Sequence, residues 1–91
     1  MRATRIKMYD GYDSVNNLCE INLIEITGYP LSGWYSKEFL YDYLVANPET
    51  IQVNIYPYPN LIPVKSSNDE KYVRSYRNET EKDNLLELPR V

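Results

Sequence analysis

One stretch, Trp34 to Asn47, has the period of an amphipathic helix, and it obliges the rest of the 91-residue chain to supply a surface for it to lie on. Ser36 is the expected N-cap, because its hydroxyl can accept from an otherwise unpaired amide of the first turn. Tyr35 and Leu40 stand where a hydrophobic staple would put them. Phe39, Leu40, Tyr43 and Leu44 form one apolar stripe. Asn47-Pro48 ends the helix, since proline disfavours helical geometry in the residue before it. A helix over 36–46 has about three turns, too few to stand alone in water. Trp34 is expected to anchor its start in the core.

Everything else reads as strand or turn. Residues 3–9 alternate, with Thr4, Ile6 and Met8 against Arg5, Lys7 and Tyr9. Residues 10–14, Asp-Gly-Tyr-Asp-Ser, are turn chemistry. Over 18–27, Cys19, Ile21 and Leu23 share one phase, and Ile24 and Ile26 take the other. Either an inserted residue, a β-bulge, shifts the phase or the far end of the strand is covered on both faces. Residues 28–33 read as a loop. Residues 51–56 alternate cleanly, so Ile51, Val53 and Ile55 should face the helix, until Pro57 and Pro59 withdraw their amide donors. Short strands over 61–65 and 71–76 follow, and then a charged, exposed stretch over 77–83. A clasp over 83–89 closes the chain, with Asp83 as its cap. The expected order is β-β-α-β-β-β, an α+β fold in which a small, mostly antiparallel sheet carries one helix on one face.

A single domain is expected, with a small core, since a chain of this length buries roughly 60–65% of its unfolded surface. Ten tyrosines accompany one Trp and one Phe. Tyr suits half-buried sheet faces and contact surfaces, and β-rich domains use it freely. The net charge is −3 and the isoelectric point 4.9, where basic nucleic-acid-binding domains lie much higher. Cys19 is the only cysteine, which excludes an internal disulfide and suits a reducing compartment. The basic N-terminus is not followed by a signal-peptide run, and nothing approaches a membrane span of ~20 apolar residues. The expected location is the cytoplasm. Asn78-Glu79-Thr80 matches a glycosylation sequon by chance.

Catalytic chemistry has little to rest on. The chain has no histidine, which removes the usual general base, the usual Ser or Cys triads and the commonest metal ligand. One cysteine cannot build a zinc site, and three glycines cannot supply a phosphate loop. Asp10 and Asp13 lack the ligand density of a calcium loop. Glu79, Glu81 and Asp83 read as a solvated face, and Cys19 as a buried structural thiol. No catalytic residue, metal site or cofactor is expected, and the chain is not read as an enzyme.

Two binding surfaces stand out. Tyr56, Tyr58, Leu61 and Ile62 in the Tyr-Pro-Tyr-Pro-Asn-Leu-Ile-Pro segment form either a docking ridge for a protein, including a second copy, or an edge whose prolines block aggregation. Arg2, Arg5 and Lys7 with Lys71, Arg74, Arg77, Tyr72 and Tyr76 would form a basic, aromatic stripe for single-stranded nucleic acid if the first and last strands were neighbours. Otherwise they are ordinary solvated strand residues. A small-ligand binder, the third class, would need a deep pocket lined by Tyr and Arg. The leading expectation is a non-enzymatic interaction or accessory protein.

Two motifs carry a resemblance. Lys71-Tyr72-Val73-Arg74-Ser75, a charged spacer and Asp83-Asn84-Leu85-Leu86-Glu87-Leu88-Pro89 resemble a domain-of-unknown-function family of small bacterial and phage proteins. Its members read Lys-Tyr-Leu-Arg-Thr, then Asp-Asn-Leu-Leu-x-Leu-Pro and often a terminal Cys. Trp34-Tyr35-Ser36-Lys37-Glu38 is similar to the family's Trp-x-Ser/Thr-x-Glu helix start. Val91 stands where many relatives have Cys, so no redox or metal role is carried over. The resemblance implies the same β-rich fold and a bacterial, phage or prophage origin, and no activity.

Overall fold

The computed structural model describes residues 1–76 and 83–91. Its strands are β1 (Arg2–Met8), β2 (Ile21–Thr27), β3 (Gly33–Ser36), β4 (Gln52–Val53), β5 (Leu61–Lys65) and β6 (Lys71–Ser75). The helix α1 spans Lys37–Ala46, and 3₁₀ turns cover Leu18–Glu20 and Asn84–Glu87. The fold is α+β and mostly antiparallel, as expected. Its strands divide into two sheets, a four-stranded one in the order β3-β2-β1-β4 and the hairpin β5-β6.

The phase break in the second strand is a bulge. Lys7 pairs with Leu23 and Met8 with Ile21, so Asn22 is an extra residue that turns Ile21 to the same side as Ile24 and Ile26. All three isoleucines are buried. A second irregularity at Thr4 keeps Ala3 and Ile6 inside. Residues 18–20 leave the strand because Asn17 caps a 3₁₀ turn there, its side chain accepting from the Cys19 amide.

Ser36 caps α1 as expected, its Oγ accepting from the Phe39 amide at 3.1 Å. The buried face is Lys37, Leu40 and Leu44. Phe39 does not join it. It is 45% exposed and stacks between Tyr35 and Tyr43, with ring centroids 5.0 and 6.5 Å apart. Tyr35 thus stacks on Phe39 and also packs against the core cluster that contains Leu40. The helix packs chiefly on β5 and β6, with smaller contacts to β2 and β3.

Two strands differ from expectation. The segment read as a loop over 28–33 ends in β3, which pairs with β2. The segment over 51–56 forms a ladder only at Gln52–Val53, parallel to β1. Ile55 and Tyr58 donate to Val53 and Ile55 in a tight turn, which bends the chain away from β1 before Pro57 and Pro59. Ile51 and Val53 are buried, and Ile55 is half-buried.

The tail behaves as a clasp. Leu85, Leu86 and Leu88 are buried, and Asp83 caps the 3₁₀ turn. Beyond it, the Ile6 amide donates to the Pro89 carbonyl and the Val91 amide to the Ile6 carbonyl. One edge of β1 is thus shared, with β4 at Arg2 and Ala3 and the tail at Ile6. No edge of β1 remains for β6. The Arg90 guanidinium then donates to the Asp13, Val15 and Leu86 carbonyls and to Asn16 Oδ1, tying the loop after β1 to the tail.

Candidate functional site

The separation of β1 from β6 divides the expected basic stripe. Arg2, Arg5 and Lys7 lie on the outer face of the four-stranded sheet, and Lys71, Arg74 and Tyr72 belong to the hairpin. Lys71 Nζ donates to Asp42 at 2.7 Å beside the Tyr41 ring, which raises its pKa chiefly through that hydrogen bond. Arg74 Nε stands 3.7 Å from Asp83. Tyr76 is exposed. Arg77, the sequon at 78–80, Glu79 and Glu81 lie outside the described residues.

The protein-binding set divides as well. Leu61 is fully buried, and Ile62 is half-buried in β5. The alternation of the hairpin turns Leu61 inward, so it cannot be part of a surface ridge. Tyr56 is 81% exposed and meets Tyr58 edge-on at 6.0 Å. Tyr58 holds φ of +61°, in the left-handed region that a non-glycine residue seldom adopts.

What the tertiary structure assembles instead is an aromatic and cationic surface on the open sheet face. Trp34 is 36% exposed and does not enter the core. Its place on β3 is opposite Glu25 of β2, which is in turn opposite Arg5 of β1. Arg5 donates from Nε and Nη2 to both Glu25 oxygens, at 2.7 and 2.8 Å, and its guanidinium lies 5.3 Å from the Trp34 ring centroid. These two bonds and one from the Thr4 hydroxyl hold the Glu25 carboxyl down at about 2. Toward the other edge, the Arg2 guanidinium covers the Tyr58 ring at 4.1 Å and donates to Asn54 Oδ1 at 3.2 Å. Lys7 is exposed on the same face, its neighbours Ile6 and Met8 pointing inward. Sequence reasoning found the cations and Tyr58 separately. It missed Trp34 because that residue was read as the core anchor of the helix start rather than as part of a strand.

A second cluster lies beyond the first 3₁₀ turn. Lys37 is 2% exposed, and its amine donates to the Tyr9 hydroxyl at 3.1 Å and lies 3.6 Å from Glu38. Burial pulls the Lys37 pKa down, but the Tyr9 hydroxyl and the nearby Glu38 and Glu70 outweigh it and leave it raised. Cys19 is pushed up to about 11, first by burial and then by Glu70, with Lys37 opposing. At neutral pH this arrangement holds a charged amine and a protonated thiol, which is poor nucleophile chemistry. Asp10 and Asp13 are exposed, and among the described residues no three acidic or thiol side chains gather to hold a metal.

A cleft of about 340 Å³ opens between residues 16–19, β6 and the C-terminal turn, with Tyr72, Arg74 and Asp83 among its walls. Asp83 Oδ1 accepts from the Ser75 amide, the Ser75 hydroxyl and the Leu85 amide, at 3.2, 2.8 and 2.9 Å. The motif residues Lys71–Ser75 and Asp83–Pro89 are therefore joined in space through one carboxylate.

Among the described residues no helix is long and apolar enough to cross a membrane. Neither a curated protein nor a solved structure matches the chain. The family match spans α1, both hairpin strands and the clasp, and leaves β1 and β2 outside it. Through residues 35–89 the chain belongs to the family described as protein of unknown function, DUF3892.

Proposed function

We propose that this protein is a small, non-enzymatic accessory domain that binds a protein partner through the outer face of its four-stranded sheet. The observation that carries this reading is the convergence of Trp34, Arg5, Arg2 and Tyr58 on that face, with Tyr56 against Tyr58. Trp, Tyr and Arg are the residue types that dominate binding hot spots. Glu25 already engages Arg5, and Asn54 and Tyr58 engage Arg2, so the face offers flat stacking surface more than free charge. The lack of histidine supports a non-enzymatic role. The single cysteine and the resemblance of the tail and helix start to small bacterial and phage proteins support a cytoplasmic setting and a bacterial or prophage origin.

Trp34 is the only tryptophan, so its emission reports directly on this face. Used as bait in a bacterial extract, the wild-type chain should retain a partner that Arg2→Ala and Trp34→Ala variants release. Retention should change little with salt. Equal retention by the variants would refute the reading. Light-scattering mass after size exclusion shows whether the partner is a second copy.

A second reading, a single-stranded nucleic-acid module, is favoured by the grouping of Arg2, Arg5 and Lys7 beside the Trp34 and Tyr58 rings. It predicts co-elution with a fluorescent random oligonucleotide at low salt that disappears at high salt, because phosphate contacts release counterions. That result would move it to first place.

A further inference from the structure

We propose that the free edge of β3 pairs with β3 of a second copy of this chain, antiparallel and in a register centred on Trp34. The inference concerns a backbone edge and does not rest on the sheet-face reading.

It begins with the direction of backbone groups. The sheet order places β3 at an edge. The Ile6 amide and carbonyl are both bonded to the tail, so they point away from β2. Ile6 and Ile24 are therefore a non-hydrogen-bonded pair, and the Ile24 groups point the other way, to Tyr35 of β3. Direction alternates along a strand, so Tyr35 is bonded to β2 while the Trp34 N–H and C=O project from the sheet edge. Among the described residues none is bonded to them. Tyr76 and Asp83, on either side of 77–82, are held at Asn60 and Ser75, toward the β4 edge of the sheet.

Sheets commonly guard such an edge with lysine or proline. β5 has Pro63 and Lys65, whereas residues 31–36, Leu-Ser-Gly-Trp-Tyr-Ser, have neither charge nor proline. Self-pairing then has one register. A twofold axis normal to the sheet sets residues of the same face opposite one another. Ser36 caps the helix, so its C=O turns into α1, and Trp34 is left as the strand residue that offers both groups. Trp34 therefore lies opposite the second copy's Trp34, and the two exchange N–H to C=O bonds. Their rings form a cross-strand aromatic pair, with Arg5 of each copy beside it. On the other face Tyr35 falls opposite the second copy's Gly33, where nothing stands within 4 Å of the place a Cβ would take. A four-residue seam buries less than the roughly 1,200–2,000 Å² of a standard interface, so the dimer is weak and forms at high concentration.

The purified full chain tests this by light-scattering mass and amide hydrogen exchange over a rising concentration series. The mass should climb toward that of two chains. Exchange at the Trp34 amide should slow with it, roughly tenfold where about nine-tenths of the chains are paired. The Tyr35 amide, already bonded to β2, is the internal reference. Trp34→Lys sets like charges opposite each other and should stay single throughout. If that variant fails to fold, the wild-type amides decide. Three results would overturn the proposal. One is a mass that stays at one chain, which would leave the edge to a strand of another protein. Another is a dimer whose Trp34 amide exchanges at the single-chain rate, which would be joined through a different surface. The third is a dimer of folded Trp34→Lys. No extract is present, so failure here is distinguishable from failure of the sheet-face reading.

Discussion

Glu25 shows how a single residue on the outer face sets a pH dependence. Its folded pKa lies at about 2 against an ordinary value of 4.5, held there chiefly by the Arg5 hydrogen bonds and then by Thr4. Between those values the unfolded chain binds more protons than the folded one. The stabilisation is therefore complete above the ordinary value and is lost as pH falls toward the folded one. Glu25→Gln should flatten this part of the acid limb, so urea midpoints measured at neutral pH and at a pH between the two values should differ less than in wild type. Cys19 makes the opposite kind of prediction. With its pKa at about 11, the thiol is almost wholly protonated at mildly alkaline pH. Its reaction with a disulfide reagent should be roughly tenfold or more slower than in the urea-unfolded chain. Equal rates would show that neither burial nor Glu70 protects it.

The instructive element is the C-terminal turn. Asp83 satisfies two amides and one hydroxyl, on β6 and at the start of the turn. Asp83→Ala would leave the Ser75 and Leu85 amides unpaired inside the protein. The expected loss is about 2–4 kcal/mol in urea unfolding, combining a lost helix-type cap with buried unsatisfied donors. Ser75→Ala removes one bond and leaves both amides paired, so it should cost about 1 kcal/mol. Similar losses for the two variants would mean that the carboxylate joins nothing. The clasp was legible in advance because Asp83 followed by Leu85, Leu86 and Leu88 is a local signal of cap and core. The joining of Asp83 to Ser75 was not, because that bond depends on how the tail lies across β6.

At the scale of the molecule, the tail completes two things at once, the core and one edge of β1. Removing Asp83–Val91 would expose the partners of three buried leucines, each worth about 1.5–3 kcal/mol, and free the Ile6 backbone groups. Those losses approach the whole stability of a small domain, about 5–15 kcal/mol. The truncated chain should therefore be unfolded at room temperature by amide NMR dispersion. A truncated chain that melts like the full one would refute the clasp.

The helix, its cap at Ser36, the phase break over 18–27 and the α+β class follow from local chemistry: capping oxygens, apolar period and proline. These act within a few residues, so the sequence by itself determined them. Trp34 and Phe39 were misplaced for one reason: periodicity marks an apolar face and cannot say which neighbour covers it. Lys37 took the buried position because Tyr9, far away in sequence, satisfies its amine. Strand order was decided only by the tertiary structure, through competition for the edge of β1, where β4 and the tail leave no room for β6. That competition separated Arg2, Arg5 and Lys7 from Lys71 and Arg74, brought Trp34 and Tyr58 to the first group, and set Asp83 beside Arg74 in a cleft. Long-range pairing depends on which backbone edges remain unfilled, a property of the whole chain that no local window of residues contains.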